Sequence, residues 1–150
     1  VLYSILLLEQ SGKQLEPSDP DDPESELIEV YEPFEFYIST YGGNALDMFA
    51  IYDVMRQIKQ TMPIHTIGIG KVMSAGVLLL AAGTKGKRRV GKNCRVMIHN
   101  AKGSGLQGSV SEIEEGLAEV SWTQERYFTC LAKETNLSVK KIRKIISKKT

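Results

Sequence analysis

The chain has 150 residues, 42% of them hydrophobic and 25% charged, which suits a single globular domain large enough for a real core. Its formal net charge of +1 gives no global pull toward nucleic acid, and its longest apolar run is far too short to span a membrane. Two cysteines, Cys94 and Cys130, with no CxxC and no histidine at metal-ligand spacing, argue against a disulfide framework or a metal site. They point to free thiols in a reducing compartment, cytoplasmic or organellar.

Taken in order, residues 2–8 (LYSILLL) are apolar without interruption and read as a buried strand. They lack the basic leader and cleavage site of a secretory signal, and both chain ends read as trimmed. Residues 10–33 are acidic and contain Pro17, Pro20, Pro23 and Pro33. That composition predicts a solvated surface insertion, with a helical turn or two over residues 25–31. Residues 34–39 (FEFYIS) are aromatic and β-branched and predict a strand, followed by Gly42-Gly43. Glycines there allow unusual backbone angles and close approach of a ligand, or simply a tight turn. Asn44 is a fair N-cap for a helix to about Gln60, with Leu46, Phe49, Ala50, Val54 and Ile58 on its inner face.

The chain is organised around residues 64–83, IHTIGIGKVMSAGVLLLAAG. A buried strand leads through a short turn at residues 71–73 to Ser74-Ala75-Gly76, and the apolar run behind it reads as a helix stopped at Gly83. A serine between strand and helix sits among unpaired backbone N–H groups, where an oxyanion could be held. Small residues before an apolar helix also serve tight packing alone. Residues 85–89 read as a basic solvated turn. Residues 95–98 predict a short strand with His99 at its carboxyl end. In an open parallel sheet, sites form beyond the carboxyl ends of the strands. Gly42-Gly43, Ser74 and His99 all fall there, and histidine is the usual base for a serine nucleophile.

Residues 100–110 carry Gly103, Gly105 and Gly108 and read as flexible or extended. Ser111 with Glu114 matches a capping box for a helix over residues 111–135, about 37 Å long at 1.5 Å per residue. Such an arm is expected to project and to pack against another subunit. Ser138 caps a last helix with Ile142, Ile145 and Ile146 inward. Its bases lack interleaved aromatics, which disfavours nucleic-acid binding.

The blocks Tyr37-Ile38-Ser39-Thr40-Tyr41-Gly42-Gly43, residues 50–55 (AIYDVM), residues 74–79 (SAGVLL), residues 81–88 (AAGTKGKR) and Arg95-Val96-Met97-Ile98-His99 together resemble the proteolytic subunit of the Clp serine peptidases. The resemblance runs from about residue 34 to 146. It implies an α/β fold, the crotonase/Clp-like ββα superhelix, as one domain with the long helix as a projecting handle. Ser74 would be the nucleophile, His99 its general base, and the N–H groups of Gly43 and Ala75 the oxyanion hole. The Gly-rich stretch after His99 would belong to an extended strand that pairs with peptide substrate. Members assemble as homo-oligomers, two stacked seven-membered rings around a chamber, and take unfolded polypeptide from an ATP-driven unfoldase. The resemblance implies that the peptidase subunit itself binds no nucleotide, and with the composition above no cofactor, metal, nucleic acid or membrane is expected.

Three departures stand against that pattern. The triad aspartate should fall near Lys149, yet no aspartate follows Asp53 and no glutamate follows Glu134. Either the acid lies beyond Thr150, or the pair is a dyad, or this is a catalytically weak or inactive ring subunit with a structural role. The acidic segment stands where the family has a helix, which leaves pore and docking surface open. Tyr41 replaces the usual proline before Gly-Gly; such divergence suggests a viral or organellar relative. An acyl-CoA enzyme on the same superhelix is a third reading, but it leaves Ser74 and His99 unexplained.

Overall fold

The computed structural model describes residues 1–103 and 106–147. Its central strand is β4 (Ile64–Met73), with partners on both edges. On one side lies β3 (Phe34–Thr40), parallel to it. On the other, β5 (Arg88–Val90) pairs with residues 66–68 of β4, and β6 (Arg95–Met97) pairs with residues 71–73, both parallel. Being flanked on both edges, β4 is apolar and buried over Ile64, Ile67 and Val72. In β3 the pleat separates Phe34, Phe36 and Ile38, turned inward, from exposed Glu35 and Tyr37.

Residues 71–73 continue the strand instead of turning. The reason lies in the register. Ile38 pairs with Gly68, but Thr40 pairs with Val72, so β4 accommodates extra residues at Gly70, whose φ is +61°. This bulge re-aims the second half of the strand and lets β6 take over from β5 on its outer edge.

Helix α2 (Ala45–Ile58) begins as expected, with Asn44 Oδ1 accepting from the N–H groups of Leu46 and Asp47. Its buried face is Met48, Tyr52, Met55 and Ile58, rotated from the expected one, and Leu46 is exposed. Phe49 is turned aside to meet the Trp122 ring edge-on. Helix α3 (Ala75–Ala81) packs on β4, and Gly76 sits so tightly on β3 that a Cβ there would lie 2.4 Å from Thr40 Cγ2.

Four further expectations need correction. Residues 2–8 are not a strand but part of α1 (Leu2–Ser11), which packs on α2 and buries Ile5 alone. An unbroken apolar run has no period, and its leucines favour helix once one side is left to solvent. Residues 10–33 are not a loop but a hairpin, β1 (Lys13–Asp19) against β2 (Asp22–Tyr31), which replaces the helical turn expected at residues 25–31. The turn is chemical: Asp19 Oδ1 accepts from the Asp21 N–H at 3.0 Å beside Pro20. The hairpin is still a surface element, since its two strands pair only with each other and most of its residues are exposed. Arg88 is not solvated; from β5 it donates to the carbonyls of Ala81 and Glu134. The capping box of the long helix α4 (Val110–Glu134) is Ser109 with Glu112, two residues before the predicted pair.

The first half of α4 stands clear of the body. Val110, Ile113 and Leu117 are exposed, and burial starts at Tyr127 and Phe128. Helix α5 (Val139–Ser147) closes the base with Ile142 and Ile146 buried, and its first turn is capped by Ser138 Oγ, which accepts from the Lys141 N–H. At this end Glu134, 5% exposed, accepts from Tyr52 Oη at 3.0 Å and Lys59 Nζ at 3.1 Å, tying α4 to α2. Of the predicted positions, Gly105 in the glycine stretch, and Lys148 and Lys149 at the carboxyl end, lie outside the described residues.

Candidate active site

Strand register brings three strand ends to one place. Met73 pairs with Met97, and the ladder runs one step further, with the Ser74 N–H donating to the Met97 carbonyl at 2.8 Å. His99 follows two residues after Met97. On the other side Thr40 pairs with Val72, so Gly42 falls opposite Ser74. The approach is closer than any side chain would allow. A Cβ on Gly42 would lie 2.6 Å from Ser74 Cβ, and the Gly42 φ of +102° is itself in glycine territory.

Ser74 has φ 54° and ψ −121° and is the only non-glycine residue with positive φ among those described. Strain of this kind costs about 1–3 kcal/mol and persists only where the surroundings enforce it. Here they do. Beyond the bond to Met97, the Ser74 carbonyl accepts from the Val77 N–H at 3.0 Å and from the Tyr127 hydroxyl at 3.0 Å. The Ser74 side chain makes no capping bond to α3. A serine that stands at a helix start without capping it has its hydroxyl available for something else, as in the strained strand-to-helix turns that present nucleophiles.

Ser74, His99, Gly43 and Ala75 line one cavity of about 80 Å³. Met48, Asn100, Thr123 and Tyr127 complete most of its wall. All four residues singled out in the sequence are therefore brought together. His99 Nδ1 lies 2.5 Å from the Asn100 carbonyl oxygen. A carbonyl only accepts, so the bond requires a proton on Nδ1 and leaves the Nε2 lone pair free in the neutral ring. The chain beyond His99 is held to α4, with the Ala101 N–H donating to Gln124 Oε1 at 3.1 Å.

Thr123 and Tyr127 were not legible as site residues. In sequence they are positions in a long helix, and Tyr127 reads as packing. The available signal was a tyrosine on an apolar stripe, whose hydroxyl must find a partner when buried. Burial pushes the Tyr127 phenol well above its ordinary value, so it stays protonated and donates. Among the described residues no group of three or more histidines, cysteines or acids could hold a metal ion. No helix among them is long and apolar enough to cross a membrane.

The family model described as Clp protease matches residues 26–150. The ATP-dependent Clp protease proteolytic subunit 1 of Rhodococcus jostii is 36% identical over 138 residues, 89% of this chain and 62% of that protein. The subunit 1 of Corynebacterium glutamicum is 34% identical over 137 residues, 88% of this chain and 65% of that protein. The subunit 2 of Corynebacterium jeikeium is 33% identical over 137 residues, with the same coverage, 88% and 65%. The chain thus spans a little under two thirds of the length of these relatives. Its mixed α/β architecture, with the 25-residue α4, agrees with the fold that the match implies. With the family model covering five sixths of the sequence, the chain belongs to the Clp protease family.

Proposed function

We propose that this chain is a serine-type peptidase subunit in which Ser74 attacks a peptide carbonyl with His99 as general base. The observation that carries the reading is the single cavity shared by Ser74, His99, Gly43 and Ala75, with Ser74 held in a strained turn. As Ser74 Oγ bonds to the carbonyl carbon, its proton passes to His99 Nε2. The carbonyl oxygen becomes an oxyanion, received by the Gly43 and Ala75 N–H groups. The imidazolium then protonates the leaving amine and an acyl-Ser74 ester remains. Water, deprotonated by the same nitrogen, hydrolyses that ester and restores both side chains.

The substrates are extended, unfolded polypeptides. The exposed apolar edge of α4, Val110, Ile113 and Leu117, supports assembly with other copies, in stacked rings as in the family. The chain uses no cofactor in this reading; ATP would be consumed by a partner unfoldase, in the cytoplasm or an equivalent reducing compartment. Fluorophosphonate labelling of the full-length protein, read by mass spectrometry, tests the assignment. An adduct on Ser74 that disappears in Ser74→Ala is expected, and its absence from the wild type would end the nucleophile reading.

A second reading has its own support: no carboxylate lines the cavity among the described residues. In that reading the chain is a weak or inactive ring subunit that supplies structure to an active partner. Full peptidase activity from the pure homomer would eliminate it.

A further inference from the structure

We infer that Tyr127 is a positioning residue that fixes the peptide group between Ser74 and Ala75, and with it the aim of the Ala75 N–H. The inference rests on the proposed reaction at Ser74. A trans peptide points its C=O and N–H to opposite sides, and no cis bond occurs among the described residues. Whatever pins the Ser74 carbonyl therefore also sets the direction of the Ala75 amide. Two donors pin it, the Val77 N–H and the Tyr127 hydroxyl, each at 3.0 Å. The first is ordinary helix geometry and travels with α3. The second comes from α4, a separate element, and ties the turn to the rest of the molecule.

The need for such a clamp follows from the backbone. Ser74 sits at φ 54° and ψ −121°, where an L-residue is not held by its own preferences. Rotation of the 74–75 peptide plane would relieve it and swing the N–H away from the cavity. Tyr127 opposes that rotation. The residue is 8% exposed and its ring lies near Phe128, so the hydroxyl is delivered by a side chain with little freedom. Burial also keeps the phenol protonated, so the donor is present across the working pH range. Thr123, one turn earlier on α4, lines the same cavity. The helix whose far end is free to join other copies thus reaches the reacting serine directly at its near end.

The test is Tyr127→Phe in the full chain, which removes one oxygen and keeps the ring. Ser74 labelling by a fluorophosphonate should slow on the order of tenfold, as for an oxyanion donor that is misaimed, not removed. In peptide hydrolysis kcat should fall with KM nearly unchanged, and the shape of the pH–rate profile should not change. Replacing Tyr127 by 4-aminophenylalanine, which keeps a donor at the same reach, should restore most of the rate. If the Phe variant fails to fold, 4-fluorophenylalanine, which cannot donate, is compared with the amino variant instead. Labelling of Tyr127→Phe at the wild-type rate, or no recovery with the amino group, overturns the inference while leaving Ser74 as nucleophile. An unlabelled wild type overturns both.

Discussion

Gly42→Ala adds one carbon where the structure has no space for it, and the consequence can be sized. The new Cβ would meet Ser74 Cβ at 2.6 Å, the Met73 carbonyl oxygen at 3.0 Å and the Ala75 nitrogen at 3.2 Å. Two of these are backbone atoms of the strained turn, not the ends of flexible side chains. Since carbon atoms pack at about 3.5–4.0 Å, the two segments must part by about 1 Å. The φ of +102° adds about 1–2 kcal/mol for any L-residue, and overpacking of this kind costs about 1–3 kcal/mol more. A total of about 3 kcal/mol should appear as a lower denaturation midpoint at fixed protein concentration. The kinetic effect should be larger, because a displacement of about 1 Å at a reacting centre costs about a hundredfold. The comparison that isolates the cause is Gly43→Ala. A Cβ at Gly43 meets nothing within 4 Å, so that variant should fold like the wild type. If Gly42→Ala labels at Ser74 as fast as wild type, or if both substitutions destabilise equally, the close approach of the two strand ends is not what the site depends on.

Two further perturbations address the body and the arm. Glu134→Ala removes the acceptor of Tyr52 and the partner of Lys59, whose side chain is only 21% exposed, and Arg56 lies 3.8 Å away. Discounted because Lys59 also donates to the Ala82 carbonyl, the loss should be about 2–3 kcal/mol in chemical denaturation. Glu134→Gln keeps an acceptor for Tyr52 and should lose roughly half of that. A Glu134→Ala variant within about 0.5 kcal/mol of the wild type, the scatter of surface changes, would refute the junction. At the free end of α4, the Ser109 side chain and then its backbone N–H hold the Glu112 carboxyl below its ordinary value. A depressed acid contributes fully above the ordinary carboxylate pKa of about 4.3 and loses that contribution as pH falls through its lowered value. Protection of the amides in the first turn of α4, corrected for the intrinsic pH dependence of exchange, should therefore fall with acidification in the wild type, and Glu112→Gln should show no such fall.

What could be read from the sequence was what repeats or what stops. The start of α2 was legible because Asn44 precedes a helical period and has few other uses there. The meeting of the candidate residues was legible because Gly42-Gly43, Ser74 and His99 each end a short apolar run, and parallel strands deliver their ends to one edge. The hairpin was hidden by composition: its acids and prolines look disordered until Lys13 to Pro17 and Leu27 to Tyr31 are seen as partners across an Asp-Pro turn. Residues 2–8 were misread because an all-apolar run carries no period. Tyr127 could not be found at all from spacing. Its role depends on a contact between positions 53 residues apart, and only the packing of α4 onto the Ser74 turn creates it.

The orientation of His99 is where the chemistry departs furthest from a three-residue relay. A triad carboxylate does two things: it fixes the ring tautomer, and it stabilises the imidazolium that forms when the serine proton arrives. The Asn100 carbonyl can do the first, since its bond to Nδ1 selects the tautomer with Nε2 unprotonated. It offers only a dipole for the second. With no carboxylate on Nδ1, the cationic intermediate of the proposed reaction would be less favoured than beside a full charge, and turnover would be slow even with the geometry intact. The pattern of the family puts its acid near Lys149, outside the described residues. The same logic separates the two halves of the reaction. Attack on a fluorophosphonate expels fluoride, which leaves without a proton, whereas expelling an amine from a peptide needs a proton from the ring. If the ring works with no carboxylate on Nδ1, the chain should label at Ser74 yet cleave peptides poorly, and introducing an acid that reaches Nδ1 should raise cleavage far more than labelling.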